Sequence, residues 1–186
     1  MAQQNAYREW LKKDLGTLIE ALNLPDLQKH FLRSRWLDQV LWMEGKADRA
    51  RDWYYRLRLT TIIGGVIIPA LVSLNFTAGT AVVVGWITFF VSLLVAISAA
   101  VEEFFHYGER WRHYRQTVEA LKNEGWQFFQ LSGPYRRFES HANAYRAFAA
   151  RVEDISRLDV EAYITNVVRE KQEEGEEKPK DAAGKT

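Results

Sequence analysis

Residues 59–101 read LTTIIGGVIIPALVSLNFTAGTAVVVGWITFFVSLLVAISAAV, 43 positions between Arg58 and Glu102 without one Asp, Glu, Lys, Arg or His. Charged residues make up 26% of the whole chain. At that density such a run arises by chance about twice in a million starting points, so a physical environment has excluded charge here. A hydrocarbon core about 30 Å thick takes about 20 helical residues, which gives this run room for two crossings and a tight turn. The expected fold class is all-α: a membrane helical hairpin of two transmembrane helices, residues 57–101, extended by a cytoplasmic antiparallel coiled-coil bundle.

The hairpin turn is expected at Asn75 to Thr80, where Asn and Gly supply turn chemistry. The spans are then 57–74 and 80–101. Pro69, with Gly64 and Gly65, is expected to kink or locally thin the first span. Lys46, Arg49, Arg51, Arg56 and Arg58 precede the hairpin, Arg110, Arg112, Arg115 and Lys122 follow it, and the turn carries no basic residue. By the positive-inside rule both termini are cytoplasmic, in a multi-pass protein of the cell inner (plasma) membrane. Trp53, Tyr54 and Tyr55 on one arm and Phe104, Phe105 and Tyr107 on the other stand at headgroup depth, as an aromatic belt would.

Away from the hairpin the chain looks soluble, with a net charge of +1. That charge gives no electrostatic case for a nucleic-acid partner. The absence of cysteine excludes disulfides and thiolate metal sites. Met1 to Asp14 lack the apolar core of a cleavable signal peptide, so the first span is expected to act as its own insertion signal.

Tyr7, Leu11, Leu15, Leu18 and Leu22 recur at helical steps and predict an amphipathic helix in region 1–25, which either packs on the bundle or lies on the membrane. In region 26–56 and beyond, Trp36, Val40, Met43, Ala47, Ala50, Tyr54, Leu57 and Thr61 alternate steps of four and three, a heptad seam that runs straight into the first span. Phe104, Tyr107, Trp111, Tyr114, Val118 and Leu121 keep a similar period, so both spans are expected to continue as long helices. Ser132-Gly133-Pro134 ends the second arm. A third helix follows within 102–169, with Phe138, Tyr145, Phe148, Val152 and Ile155 on its apolar stripe. Residues 170–186, rich in Lys, Glu, Pro and Gly, are expected to form a disordered tail.

These residues resemble the SLATT group of bacterial two-transmembrane proteins, related to a domain family once catalogued only as of unknown function. The likeness is carried by Trp36-Leu37-Asp38, Ala50 to Tyr55, Gly64 to Pro69, and Trp111, Tyr114, Arg115, Glu119, Leu121, Lys122, Glu124 and Phe128. Gly133-Pro134-Tyr135 and Arg151 to Ile155 complete it, over roughly residues 30 to 160. The resemblance implies a membrane effector that oligomerises into a pore or perturbs the membrane, with a cytoplasmic sensor protein as an implied partner in bacterial conflict systems. A housekeeping channel is equally open.

As a helix, the second span places Ala81, Gly85, Thr88, Ser92, Ala99 and Glu103 on one face, with Trp86, Phe90, Leu93, Leu94, Ile97 and Val101 on the other. The small face either packs on the first span or a neighbouring chain, or surrounds a water-filled path in which Gly85, Thr88, Ser92 and Ala99 are the pore-lining candidates. Glu102 and Glu103 at its end are solvated charges or, in a ring of subunits, attract cations. Glu102, His106, Glu109 and His113, at steps of four, three and four, are candidates for a metal or pH-sensing group, with salt bridging to nearby arginines as the plainer reading. Arg115 with Glu119, Glu119 with Asn123, and Arg151 to Asp154 are candidate ion-pair groups or solvated faces.

No phosphate loop, dinucleotide glycine pattern or catalytic triad context is present, and neither enzymatic activity nor a cofactor is expected. The leading expectation is an oligomeric, weakly cation-selective pore gated by its cytoplasmic helices, with the lipid bilayer and further copies of itself as partners. The alternative is a non-conducting membrane anchor that presents a helical interaction domain. A soluble bundle that buries the hairpin is the weakest reading.

Overall fold

The structure, a computed structural model, describes residues 2–73 and 78–176, with side chains described over 4–73 and 80–161. All of the regular structure among the described residues is helical. The order is α1 (Ala2–Ala21), α2 (Asp26–Phe31), a π-helical turn (Leu32–Leu37), α3 (Asp38–Ser73), α4 (Ala78–Phe105), α5 (Tyr107–Phe129), a 3-10 turn (Gly133–Tyr135) and α6 (His141–Glu176). The chain forms two compact units, Met1–Lys12 with Gln39–Val118, and Lys13–Asp38 with Glu119–Thr186. The expected turn begins outside the described residues, since 74–77 lie beyond them and α4 is already helical at Ala78. The expected tail is helical as far as Glu176, because Arg, Glu, Lys and Gln are strong helix formers whether or not they have an apolar surface to cover. Residues 177–186 lie outside the described part.

The seam on α3 organises the first unit. Val40, Met43, Ala47 and Ala50 are buried, Tyr54, Leu57 and Thr61 half-buried, and the same spacing continues through buried Gly64 and half-buried Ile68 and Leu71. Helix α3 runs antiparallel to α4 and α5. Its Gly64 meets Val95, while its Tyr54 meets Gly108 and stacks on Trp111 with ring centroids 6.1 Å apart. It stays helical through Pro69.

In the second unit the core is aromatic. Trp36 is fully buried, its indole nitrogen donates to the Leu121 carbonyl at 2.9 Å, and its ring meets Phe129 and Phe148 edge-on. Phe128 stacks on Phe148 at 4.4 Å, and Ala144, Phe148 and Val152 form the buried stripe of α6. The π-helical turn holds Leu32, Trp36 and Leu37, all buried, at the entry to α3. On α1 the buried stripe is Leu11, Leu15 and Ile19; Leu18 is only half-buried and Tyr7 exposed.

Gly125 lets the indole lie against α5, because a Cβ there would sit 2.0 Å from Trp36 Cζ2. An alanine in a helix interior ordinarily stabilises by about 1 kcal/mol relative to glycine. Here the sign reverses. Gly125→Ala is expected to destabilise by about 1–3 kcal/mol through overpacking, read as a lower melting temperature by near-ultraviolet circular dichroism. An unchanged or raised melting temperature would refute this packing.

Candidate functional site: the apolar helix pair and its charged end

Helices α3 and α4 hold the long apolar run. They approach closely because Gly64 has no side chain: a Cβ at that position would lie 2.1 Å from Val95 Cγ2. On α4 the less exposed residues are Val84, Thr88, Val91, Ser92, Val95, Ser98, Val101 and Glu102, mostly at steps of four and three, so Val101 does not stand on the outer face expected of it. The outer faces of both helices stay uncovered. Fifteen large apolar side chains between Leu59 and Ile97, Phe90 and Val66 among them, are more than 40% exposed. Both helices are long and apolar enough to cross a membrane.

The sequence candidates divide between these surfaces. Gly85 and Ala99 are exposed on α4, whereas Thr88 and Ser92 sit half-buried at the edge of the α3-facing stripe. Their hydroxyls donate to their own helix, Thr88 to the Val84 carbonyl at 2.8 Å and Ser92 to the Thr88 carbonyl at 2.7 Å. Ser98 is the buried hydroxyl residue of this helix, and the sequence reading passed over it. Glu103 is exposed and Glu102 half-buried. The stripe that α3 covers is thus turned by roughly a quarter-turn from the small-residue face, estimated at 100° per residue.

The second apolar helix does not continue unbroken into the arm that follows it. His106 has φ +47°, in the left-handed region, and separates α4 from α5. Its amide donates to the Glu102 carbonyl at 2.9 Å, closing α4, and its own carbonyl accepts from Glu109 and Arg110, opening α5. A continuous helix would carry the α4 stripe from Ser98 and Glu102 onto Phe105, Glu109 and Arg112, which are all exposed. The left-handed residue instead brings Tyr107, Trp111 and Tyr114 to the less exposed side, with Tyr107 stacked on Trp53. Glu102, His106, Glu109 and His113 therefore do not share a helix face. Among the described residues no three His, Asp or Glu side chains come together as a metal ion would require. Next to this junction, Arg115 reaches across to buried Glu44 on α3 at 3.0 Å, rather than forming only the local pair with Glu119 that spacing suggested.

In the second unit the buried Glu124 carboxylate accepts from both the Tyr135 hydroxyl and Arg151 Nε, the latter at 2.6 Å. Arg35 pairs with Glu153 through two bonds of 2.7 Å. Burial, and then the Glu124 carboxylate, push the Tyr135 hydroxyl far above the usual phenol range. Hydrogen bonding to Arg35 holds Glu153 below the usual carboxylate range. Both members of that pair are about half exposed, so its contribution is within about 1 kcal/mol. Arg151 thus has a partner on α5, the interhelix ion pair that stood as the alternative to a solvated face for Arg151 to Asp154.

The model of a family described as "Protein of unknown function (DUF4231)" matches residues 38–143. The match starts at the first residue of α3, takes in the whole apolar pair and the Glu124–Tyr135 contact, and ends in the first turn of α6. No curated protein and no solved structure matches the chain.

A tyrosine whose folded pKa lies above its unfolded value of about 10 favours folding below that pH, and the contribution is lost as pH rises past it. Stability is therefore expected to fall above about pH 10, with Tyr135 the last tyrosine to ionise by absorbance near 295 nm. Tyr135→Phe is expected to flatten that alkaline loss while costing about 1.5–3 kcal/mol at neutral pH, the range for a hydrogen bond to a charged group.

Proposed function

The chain belongs to that family, whose region contains the entire apolar helix pair, and we propose that it is an inner-membrane two-span protein whose copies assemble into a weakly cation-selective pore. The fifteen exposed apolar side chains of α3 and α4 support insertion. Left in water they would forfeit on the order of 15 kcal/mol, as much as a domain's whole stability. A bilayer removes that cost. The basic flanks support cytoplasmic termini. The likeness of Trp36 to Asp38, Ala50 to Tyr55 and Gly64 to Pro69 to the SLATT group supports an effector role, with a cytoplasmic sensor protein as its upstream partner.

One observation carries the pore reading. Because α3 covers the Val84–Ser98 stripe, the exposed residues Gly85, Ala96, Ala99 and Glu103 remain free on an adjacent face of α4. Small residues let membrane helices of neighbouring copies approach closely, and Glu103 ends the stripe with a negative charge. The half-buried Ser92 and Thr88 border it. A second reading, a non-conducting anchor for the cytoplasmic helices, is favoured by the way Thr88 and Ser92 satisfy their hydroxyls on their own backbone, which leaves little polarity for a water path.

Purified full-length chain in liposomes decides between them. The pore reading expects potassium flux, strongly reduced by Gly85→Leu or Ser92→Leu. It also expects Glu102→Gln with Glu103→Gln to shift the reversal potential toward zero in a potassium chloride gradient. Inserted protein that passes no ions supports the anchor instead, whereas flux whose reversal potential is unmoved by the double variant removes Glu102 and Glu103 as the source of selectivity.

A further inference from the structure

Two cavities of the first unit lie along one face of α3 and share Arg56. The first, about 500 Å³, is the more polar of the two and forms between the start of α1 and the middle of α3, with Arg8, Asp48, Arg49, Asp52 and Arg56 in its wall. The second, about 400 Å³, is an apolar groove between α3 and α4, bounded by Leu59, Ile63, Ile67, Val91 and Leu94, with Arg56 at its rim.

The charges of the polar cavity are not self-contained. Asp48 and Asp52 both pair with Arg51 at 3.3 Å, and Asp52 also accepts from Gln4. Arg49 donates to the Gly45 carbonyl at 3.2 Å, and Arg8 to Asn5, with the buried Arg8 Nε left without a partner. The Arg56 guanidinium has neither a hydrogen-bond nor an ion-pair partner among the described residues. With both carboxylates already engaged, the three arginines leave an excess of positive charge above an apolar slot. Guanidinium groups bind phosphate oxygens in paired hydrogen bonds, which suits them to an anionic phosphate more than to a carboxylate-free alcohol or amine. The slot has the matching length. From Arg56 to Ile67 the helix rises about 16 Å, close to half of a hydrocarbon core of about 30 Å. Trp53, three residues before Arg56, lines the same end, where amphipathic rings settle at headgroup depth.

We propose that this cavity and groove together bind one anionic phospholipid of the cytoplasmic leaflet, its phosphate on Arg56 with Arg49 and Arg8, and one acyl chain in the groove between α3 and α4. The site rests on the membrane reading above. It ties the first residues of α1 to α3 through a lipid, so occupancy would set how firmly that end of α1 is held.

The test is native mass spectrometry of the full chain released from detergent micelles, with dioleoyl phosphatidylglycerol, dioleoyl phosphatidylcholine or glycerol phosphate added. The expected result is one retained phosphatidylglycerol per chain, favoured over phosphatidylcholine, with no retention of glycerol phosphate. Arg56→Gln is expected to lower retention about tenfold, the scale of one charge-assisted contact. Ile63→Trp, which fills the groove but keeps every arginine, is expected to lower it as well. Gly65→Leu, at an exposed position with open space around it, is expected to leave it unchanged. Equal retention by Arg56→Gln and the unaltered chain, or no preference for phosphatidylglycerol, would overturn the proposal. So would an Ile63→Trp variant that changes subunit number rather than lipid retention, since a second copy would then occupy the groove. Retention of glycerol phosphate alone would overturn the acyl half. Loss of the membrane reading is seen separately, as chain that stays in the supernatant when detergent-free vesicles are pelleted.

Discussion

Everything in the first unit depends on an uninterrupted seam along α3. Mostly small or medium side chains, with Tyr54 the exception, recur on one side from Val40 to Leu71, and that single line runs past both a charged and an apolar outer face. Toward its start it buries Met43 and Ala47 beneath polar neighbours. Further on it reaches Gly64, where the missing side chain brings α4 close enough for Val95 to fill the gap. A seam of period 3.5 keeps two helices in register without regard to what lies outside them. The outer faces are therefore free to change from charged to wholly apolar at Arg58 while the inner line stays the same.

That division of labour explains the junction at His106. The helix partnered by α3 is apolar on one side of the boundary and amphipathic on the other, and the two stretches carry their inward positions in different phases. A straight helix would have turned Glu109 and Arg112 inward. One residue in the left-handed region resets the phase, at the strain that a non-glycine residue bears there. The aromatic rings after it, Tyr107 and Trp111, then stack on Trp53 and Tyr54. The junction sits next to Glu102 and Glu103, so any movement of α5 relative to α4 would act at the charged end of the apolar pair.

The second unit relies on different contacts. Its core is a cluster of rings around Trp36 and Phe148, and the indole has room only because residue 125 is glycine. Glu124, one position earlier, is buried and held by Tyr135 and Arg151. Breaking one partner of such a buried carboxylate costs more than the hydrogen bond alone, because the charge that remains is poorly solvated. Several of the residues that carry the family likeness, Trp36, Glu124, Tyr135 and Arg151 among them, thus do structural work within one core.

From the sequence alone came the all-helical class, the pair of long apolar helices, the seam from Trp36 to Thr61 and, on α6, Phe148 and Val152 of the expected stripe, whereas Phe138 lies before that helix and Ala144 takes the remaining buried place. Each is a periodic or compositional signal spread over many residues, and helical geometry converts such signals directly into faces. Only tertiary structure decided which side of α4 meets α3, because a helix apolar nearly all round offers several faces of similar hydropathy, and the choice fell to one glycine opposite one valine. It also decided that the arm after the second span breaks at His106, that Gly125 exists to receive an indole, and that Arg115 and Arg151 find carboxylates on other helices. These are single-residue contacts between positions far apart in the chain, and local spacing carries no trace of them.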